Sequence, residues 1–456
     1  MASYQVSAVT ETTGLAGQSR NNYTNRFKID FMAEWDQHIH TKTKVAELIA
    51  KKKGKMGGFE SLGSVITGLP QSAGLFQFEG ATLPDPRAGS YINPKLHARD
   101  VYTRLRWTGN VERAARGGDK YAWRAPRKQD IKGADEQMRI NLARCLYLGP
   151  AQPIGLASAA ADTSLTMYSR NSRRSNLDDL WKFGAHYLRV GQSISLVDAS
   201  GGAVVLFGNA PAHSAELIVN AISSAAAPVI TLSADIEDTL TPDVIGDESL
   251  VIPYQSRRTT GVAQTDITTL AGMNGLMQMV TNGDIYTYLY DLERAANPTL
   301  NGLRDRDSGG VPRAFNEDLV TIAVDRVADE GRGDEPGVLL MDRSVRREYV
   351  KESKGDRRFK EVQTEKGFGK LVFHAGDALL PVETDRDCHP GIIFVLEPNG
   401  FGYLEQSAMD TLPERFVANQ DASEIIVHKS GNVFTEAPFN NGTIEDLIFD
   451  VSAVTV

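Results

Sequence analysis

Few residues in this chain have a type that could serve in catalysis or metal binding, and their spacing does not suit either role. His38 and His40 come closest to a metal-ligand pair, but residues two apart do not share a helix face and no third ligand is indicated. Cys388 and His389 have the types of a nucleophile and a base. Adjacent side chains rarely point together, however, and residues 385–390 have the composition of a turn. We therefore predict no metal site and a structural role for this cysteine.

Two short segments have only a partial likeness to binding motifs. Gly367-Phe-Gly-Lys370 lacks the spacing and the Ser or Thr of a phosphate-binding loop, and Arg332-Gly-Asp334 is a tripeptide expected by chance in a loop. The two cysteines give neither a disulfide framework nor a zinc spacing. The sequence predicts no catalytic residues, no cofactor and no enzyme activity.

The bulk composition bounds the class of protein. A chain of 456 residues corresponds to about three structural units at roughly 150 residues each. Its 41% apolar and 23% charged residues are ordinary for a globular core. It contains no apolar run of about 18 residues and no basic start followed by an apolar block, so we expect no membrane span, no secretory signal and a cytoplasmic origin. The net charge of −9 argues against a dedicated nucleic-acid binder but is compatible with a container for a polyanion, which would not adhere to an acidic wall.

One long amphipathic helix organises the chain, and we predict it over Asp130–Gly149. Asp130 is a suitable N-cap, Gly149 supplies a left-handed stop, and Pro150 cannot continue the helix. The apolar positions recur at three- and four-residue steps: Ile131, Ala134, Met138, Leu142 and Cys145 or Leu146. The helix would be roughly 28 Å long, enough to cross a domain.

The region before this helix predicts a long β-hairpin. Residues 74–79 alternate weakly, 81–94 are rich in turn-forming residues, and 101–108 alternate clearly. One face of the last segment carries Val101, Thr103, Leu105 and Trp107, and the other carries Tyr102, Arg104 and Arg106. Such a hairpin has too few buried residues to be stable alone, so we expect it to lie on another subunit.

A basic strip covers the same region. Residues 100–132 contain nine Lys or Arg and four acids in an otherwise acidic chain. A nucleic-acid site and a strip that docks on acidic neighbouring subunits both fit this pattern, and we favour docking because no recognised nucleic-acid module surrounds the strip. The candidate inter-subunit contact residues are Arg104, Arg106, Trp107, Arg113 and Arg116.

Beyond the long helix the chain predicts a β-rich insert and then an α+β body. Short strands are expected at 192–197, 204–207, 215–221, 229–232 and 250–252, which suggests a small barrel or sandwich.

In the body we predict a helix over Phe315–Asp329, capped by Asn316, ended by Gly331, and with Leu319, Ile322, Ala323 and Val327 facing inward. Next come a buried strand over Val338–Met341 and a helix from Ser344. Further strands are expected at 371–374, 392–396, 401–404, 423–428 and 447–451.

The order of these parts resembles the major capsid proteins of tailed phages, with the Hong Kong ninety-seven type of fold. The helix ending Leu146-Tyr-Leu-Gly149 is similar to that family's long helix. The segments 275–280 with 286–298, the helix–strand pair in the body, and 376–385 with 391–395 resemble later parts of it. No single motif is specific; the order and spacing of the pieces carry the resemblance.

The resemblance implies an α+β phage capsid fold with six parts. These are an N-terminal arm (1–56), an extended loop hairpin (57–115), a peripheral part with the spine helix (116–187, helix 130–148), a β-barrel-like insert (188–254), an axial domain (255–375), and a return to the peripheral domain (376–456). It implies self-assembly into pentamers and hexamers of an icosahedral shell around double-stranded DNA, bound without sequence specificity. The protein would be assembled in the host cytoplasm and located in the virion.

The same resemblance implies partners and an alternative. A separate scaffolding protein is expected because the arm is short, with a portal protein at one vertex and a decoration protein as a further candidate. Relatives that cross-link use a loop lysine; residues 81–94 contain none, although Lys95 is adjacent, so we predict a non-covalent shell. The alternative is the shell protein of an encapsulin-type bacterial nanocompartment. The insert lies outside the minimal fold and would decorate the outer surface or brace the capsomers.

Overall fold

The computed structural model describes residues 44–49, 53–68, 88–109, 120–149, 155–161, 163–169, 184–198, 205–206, 217–224, 227–233, 249–253, 272–284, 286–307, 311–331, 336–352, 372–375, 378–417 and 420–448. Most of the predicted arm, His38, His40, the segments 74–79, 332–334 and 367–370, Arg113 and Arg116 lie outside them. The chain divides into two compact units. Unit 1 is Met1–Thr41, Val101–Ile140 and Ala408–Lys429, and unit 2 is Lys42–Asp100, Asn141–Ser407 and Ser430–Val456.

The described helices are α1 Lys44–Ile49, α2 Lys120–Leu148, α3 Leu276–Val280, α4 Glu317–Glu330 and α5 Arg343–Glu352. Single 3₁₀ turns, each opened by a proline, lie at Pro298–Leu300, Pro398–Gly400 and Pro438–Asn440.

The strands up to the spine helix α2 are β1 Lys53–Lys55, β2 Glu60–Leu62, β3 Val65–Gly68, β4 Ser90–Ile92, β5 Lys95–His97 and β6 Arg99–Thr108. Those up to residue 253 are β7 Gly155–Ala161, β8 Ser164–Met167, β9 Ser193–Asp198, β10 Val205–Leu206, β11 Leu217–Ile222, β12 Val229–Leu232 and β13 Ser249–Pro253. The remainder are β14 Tyr288–Leu289, β15 Leu292–Glu293, β16 Leu303–Asp305, β17 Val338–Met341, β18 Val372–Ala375, β19 Ala378–Thr384, β20 Ile393–Leu396, β21 Phe401–Thr411, β22 Arg415–Phe416, β23 Ala422–Thr435 and β24 Gly442–Ile444.

The spine helix begins at Lys120, ten residues before the predicted start. The predicted N-cap role of Asp130 is therefore wrong. Its side chain lies inside the helix and accepts a hydrogen bond from Trp107 Nε1 at 3.3 Å in unit 1. Asp is favoured at an N-cap because it satisfies a free backbone N–H, but here the indole N–H is the donor that it satisfies.

In unit 1, strand β23 pairs with β6 and with β22. The predicted alternation of β6 is confirmed: Trp107 is 2% exposed and packs against Ile425 of β23, with Leu105 and Ile131 beside them, while Tyr102 and Arg104 are exposed. One sheet face therefore covers a small apolar cluster and the other faces solvent.

The end of the spine helix is buried on every side in unit 2, since residues 143–149 are all buried. Gly149 has φ +76° and its N–H bonds to Cys145 O at 3.0 Å, which confirms the predicted left-handed stop. A Cβ on Gly275, just before α3, would lie 2.2 Å from Gly149 N. The two backbones are therefore in direct contact.

A closed barrel forms the β-rich region of unit 2. Strand β9 pairs with both β11 and β13, which closes β9, β11, β12, β8, β7 and β13 into an antiparallel ring with β10 beside β9. The five predicted strands of this region are found, and β7 and β8 join the ring from before residue 188. Its buried side chains, each 6% exposed or less, are Leu156, Leu165, Met167, Ile194, Leu217, Val219, Ile230, Leu232 and Val251.

The body of unit 2 is a mixed six-stranded sheet in the order β16-β24-β20-β17-β19-β18. The cap of α4 is confirmed, because Asn316 Oδ1 accepts from Asp318 N at 3.0 Å. Helix α4 buries Val320, Ala323, Val324 and Val327 in one core with β17, β20 and β24.

Two predictions for the body are wrong. Of the four residues expected to face inward, Ala323 and Val327 are buried and Leu319 packs against the core, but Ile322 is 53% exposed. The buried stripe of α4 instead includes Val320 and Val324, on the other side of Ala323 and Val327. No strand begins at Leu447, which forms a single bridge with Arg313; the chain instead pairs at β24, which begins five residues earlier and lies between β16 and β20. Residues 449–451 of the predicted strand lie outside the described residues.

The contact between Gly149 and Gly275 predicts a sharp response to substitution. Gly275→Ala would place a methyl group against backbone that cannot rotate away, so we expect a loss of about 1–3 kcal/mol or misfolding. Gly133→Ala in the spine helix meets open space and should gain about 0.5–1 kcal/mol. Urea denaturation of the unassembled chain measures both, and equal stability of the two variants would refute the close approach.

Candidate assembly surface

A hairpin is present in this region, but its strands differ from those predicted from the sequence. The predicted strand at 101–108 is part of β6, which pairs with β23 instead, because its apolar face packs in the cluster of unit 1. The predicted partner at 74–79 lies outside the described residues. Strands β2 and β5 pair antiparallel with Ser61 opposite Leu96, and β3 and β4 pair with Ile66 opposite Tyr91. Each strand has only three or four residues. A two-stranded ribbon of this size is marginal in water without packing on one face.

Large apolar side chains of this hairpin face solvent. Phe59 is 81% exposed, Leu62 68%, Ile66 56% and Tyr91 61%. Within residues 57–68 and 88–97, Leu96 is the only buried side chain. The sequence interpretation did not single out these four residues, although large apolar side chains in a Gly- and Ser-rich segment were a usable signal. Ile66 and Tyr91 lie opposite each other on paired strands, and exposed apolar area of this kind marks interaction sites.

The hairpin is anchored to the body of unit 2 at its base. Lys95 N donates to Tyr290 O at 3.0 Å, and His97 Nε2 lies 2.5 Å from Asp291 Oδ2, with Glu60 at 3.5 Å from the other ring nitrogen. Tyr290 and Asp291 have φ of 55° and 63°, in the tight turn between β14 and β15. The left-handed turn presents its carbonyl and its carboxylate to the hairpin.

Asn432 completes the anchor from inside unit 2. Its side chain is buried, donates to His97 O at 2.9 Å and accepts from Asn274 N at 2.8 Å and Val433 N at 2.8 Å. One amide thus joins the hairpin base, the segment before α3 and β23. Nothing in the local sequence around Asn432 indicates this role.

Beyond its base, the hairpin stands away from the body. A cleft of about 850 Å³ separates residues 61–66 of the hairpin from residues 397–404 and 434–440 of the body. Leu62 and Ile66 line it on one side and Phe434 on the other. Residues 57–68 and 88–97, the described part of the hairpin, are therefore attached at the base and leave their large apolar side chains exposed.

The solvent-facing side of the sheet in unit 1 is a separate surface with a basic character. Arg104 is half exposed and forms an ion pair with Glu424 of β23. Arg415 of β22 lies directly opposite Glu424, so the two side chains share a face. Tyr102 stacks on His428 with ring centroids 4.7 Å apart. One carboxylate thus lies between two arginines, beside an exposed ring.

The five predicted contact residues have different surroundings. Arg104 faces solvent, Arg106 is half-buried, and Trp107 is buried in the core of its own unit. Arg113 and Arg116 lie outside the described residues. Arg415, which sequence analysis did not include, is close to Arg104 only because β22 and β6 flank the same strand.

The described residues do not assemble a chemical site at the positions considered from the sequence. The Cys388 thiol is fully buried, and burial raises its pKa, which keeps it protonated and a poor nucleophile. His389 Nδ1 bonds to Tyr187 Oη at 3.0 Å. In the part of the chain that the structure describes, no group of three or more His, Cys, Asp or Glu could hold a metal ion. No helix there is both long and apolar enough to cross a membrane.

The anchor predicts that Asn432 governs attachment of the hairpin. Asn432→Ala would leave His97 O and Asn274 N without their partner in a buried site, and we expect a loss of about 2–4 kcal/mol, with faster proteolysis of the hairpin. Asn282, whose two bonds to Asp284 lie in an exposed turn, is the matched control, and its change to Ala should cost less than about 1 kcal/mol. Equal losses in urea denaturation would contradict the anchor.

Comparison with known proteins finds no family model and no curated protein that matches the chain. Solved structures match nearly all of it at low identity. The cyanophage A-1(L) capsid asymmetric unit matches with a TM-score of 0.48 and 9% identity over 94% of this chain and 98% of that chain. The capsid of a native GTA particle matches with a TM-score of 0.44 and 9% identity over 95% and 100%. The capsid of cyanophage P-SCSP1u matches with a TM-score of 0.42 and 8% identity over 95% and 99%. The chain is thus similar, over nearly its full length, to capsid chains of phages and of a GTA particle.

Proposed function

We propose that this chain is a major capsid protein that self-assembles into the pentamers and hexamers of an icosahedral shell enclosing the double-stranded DNA of a tailed phage. The hairpin carries the proposal. In its described residues, it is fixed to its own subunit at its base and exposes four large apolar side chains. A second copy of the chain would cover the exposed apolar side chains of this hairpin.

Burial of the exposed hairpin side chains against a neighbouring subunit is energetically favourable. Full burial of one such side chain contributes about 1.5–3 kcal/mol. A hairpin laid across an adjacent subunit recovers this term at every position of a closed ring, so individually modest interfaces add up. The isolated subunit has no equivalent surface for these side chains within its described residues.

The remaining parts take roles that follow from the resemblance. The axial domain, about residues 255–375, meets its copies at the centre of each capsomer, and the loop hairpin crosses a neighbouring subunit. The barrel decorates the outer surface or braces adjacent capsomers. A separate scaffolding protein, a portal protein at one vertex and a decoration protein are the expected partners, and subunits associate without covalent links. A net charge of −9 on each subunit limits adhesion of the enclosed DNA.

A shell protein of a bacterial nanocompartment is the second candidate function, because its subunits could assemble through the same hairpin contacts around an enzyme cargo. Particle diameter separates the two functions, since a shell that holds a genome is far wider than one that holds an enzyme.

The hairpin surface gives the direct test of assembly. The double change Phe59→Ser and Leu62→Ser removes apolar area that is already exposed, so the free subunit should keep its stability within about 0.5 kcal/mol. Assembly should be lost, and sedimentation would then show only free subunits.

Val190→Ser is the matched control, because Val190 is 63% exposed in the turn before the barrel and far in sequence from the hairpin. The control should form the same particles as the unmodified chain. Normal particles from the hairpin variant would contradict the proposed role of the hairpin.

The basic face of unit 1 predicts a second effect on assembly. Arg104→Glu with Arg106→Glu reverses the charge of the proposed docking strip, and assembly in the absence of DNA should fall at least tenfold. Arg139→Glu, at an exposed position of the spine helix outside the strip and the axial domain, is the control and should assemble normally. Normal DNA-free shells that fail only to retain DNA would show that the strip contacts nucleic acid.

A further inference from the structure

Three arginines from distant parts of the chain meet at one junction in unit 2. Arg144 lies near the end of the spine helix, Arg189 lies in the turn that leads into the barrel, and Arg386 lies in the turn between β19 and β20. No function discussed above uses them. The junction is the place where the helix, the barrel and the body sheet come together.

Hydrogen bonds and ring packing fix the junction. His186 Nε2 donates to Arg386 O at 2.8 Å, and Tyr187 Oη donates to Asp387 O at 2.7 Å. The rings of Tyr187 and of Tyr147, one helix turn beyond Arg144, both pack on His389, with centroids 5.9 and 6.2 Å away. The three backbone segments that carry the arginines are thus held side by side.

The positive charges of this junction are incompletely paired. Arg144 is 6% exposed, and its Nε has no hydrogen-bond partner. Asp387 is the carboxylate among the three arginines, but in the described residues no ion pair of 4.0 Å or less joins it to any of them. A buried guanidinium without a partner is costly, so the site favours a ligand that supplies negative oxygen atoms.

The electrostatic effects agree with this geometry. Burial, with the neighbouring Arg189 as the next cause, lowers the pKa of Arg144 to about 10. Burial also lowers the pKa of Arg189, with Arg386 as the next cause. The Arg189 guanidinium is therefore repelled by both of the other guanidinium groups. Burial and the neighbouring Asp385 raise the pKa of Asp387, against the opposing effect of the arginines.

The junction is open to solvent at one end. The three side chains differ in exposure: Arg144 is buried, Arg189 is half-buried and Arg386 is exposed, so the solvent-facing end of the junction lies at Arg386. Guanidinium groups bind tetrahedral oxyanions through paired N–H donors, which is the preferred arginine chemistry for phosphate.

We propose that Arg144, Arg189 and Arg386 form a binding site for a phosphate-type oxyanion at the junction of the spine helix, the barrel and the body. The bound ion supplies acceptors to the buried Arg144 guanidinium and links the three segments that carry the arginines, while Asp342, Asp385 and Asp387 are the buried carboxylates nearby. Free phosphate is the source that fits, because the backbone of a DNA duplex cannot approach a side chain as buried as Arg144. The site is independent of whether the chain forms shells.

Isothermal titration calorimetry on the full-length unassembled chain tests the site, with sodium phosphate as ligand and sodium chloride of equal ionic strength as reference. The chain should bind phosphate and not chloride. Arg386→Gln, at the solvent-facing end of the junction, should weaken binding at least tenfold without unfolding the protein. Arg346→Gln, an exposed arginine of α5, is the matched control and should leave binding unchanged.

A second variant is expected to strengthen phosphate binding instead of weakening it. Asp387→Asn removes the carboxylate that competes with the ligand, so phosphate should bind several-fold more tightly. Absence of phosphate binding by the unmodified chain, or unchanged binding in both Arg386→Gln and Asp387→Asn, would overturn the proposal. Binding of a short DNA duplex but not of inorganic phosphate would also overturn it, because the source would then be a nucleic-acid backbone on an open surface.

Discussion

The contact between the backbones of Gly149 and Gly275 is the constraint on which unit 2 depends. It lets the spine helix end against the start of α3, with no side chain between them. Tyr286 Oη reaches Leu148 O at 3.5 Å, and the fully buried Arg294 donates to Thr281 O and Gln278 O at the other end of α3. Burial lowers the pKa of Arg294 to about 10, yet it stays charged and satisfies the carbonyls that a helix end leaves free.

The contact between Gly149 and Gly275 also positions the segment that anchors the hairpin. The chain runs from α3 to the left-handed turn at Tyr290 and Asp291, which holds the hairpin base, and Asn432 adds a bond from β23. The subunit therefore combines a buried core with a hairpin whose described part is anchored at its base. The core explains how the subunit keeps its shape, and the exposed apolar side chains of the hairpin are the surface that the proposed assembly would cover.

Local signals predicted the parts of the fold that depend on neighbouring residues. Val338–Met341 and the Asn316 cap were found as expected, because an apolar run and a capping side chain act within a few residues. The start of the spine helix was missed because Asp130 is a strong local cap signal that a long-range bond from Trp107 overrides. Strand β19 was missed because it contains Pro381, a residue that argues against a strand in the sequence, yet β19 runs through it and pairs with both β17 and β18. The anchor at Asn432 and the three-arginine junction join residues far apart in the chain, which no single-sequence pattern reveals.

Negative-stain electron microscopy combined with sedimentation of the purified full-length chain, alone and beside a candidate scaffolding protein, tests the central claim most directly. The account predicts closed shells or rings of five and six subunits, with a diameter large enough for a phage genome. Small shells of enzyme-compartment size would replace the phage function with the nanocompartment. A sharp monomer or dimer under every condition would contradict the account, since the hairpin would then need no neighbouring subunit.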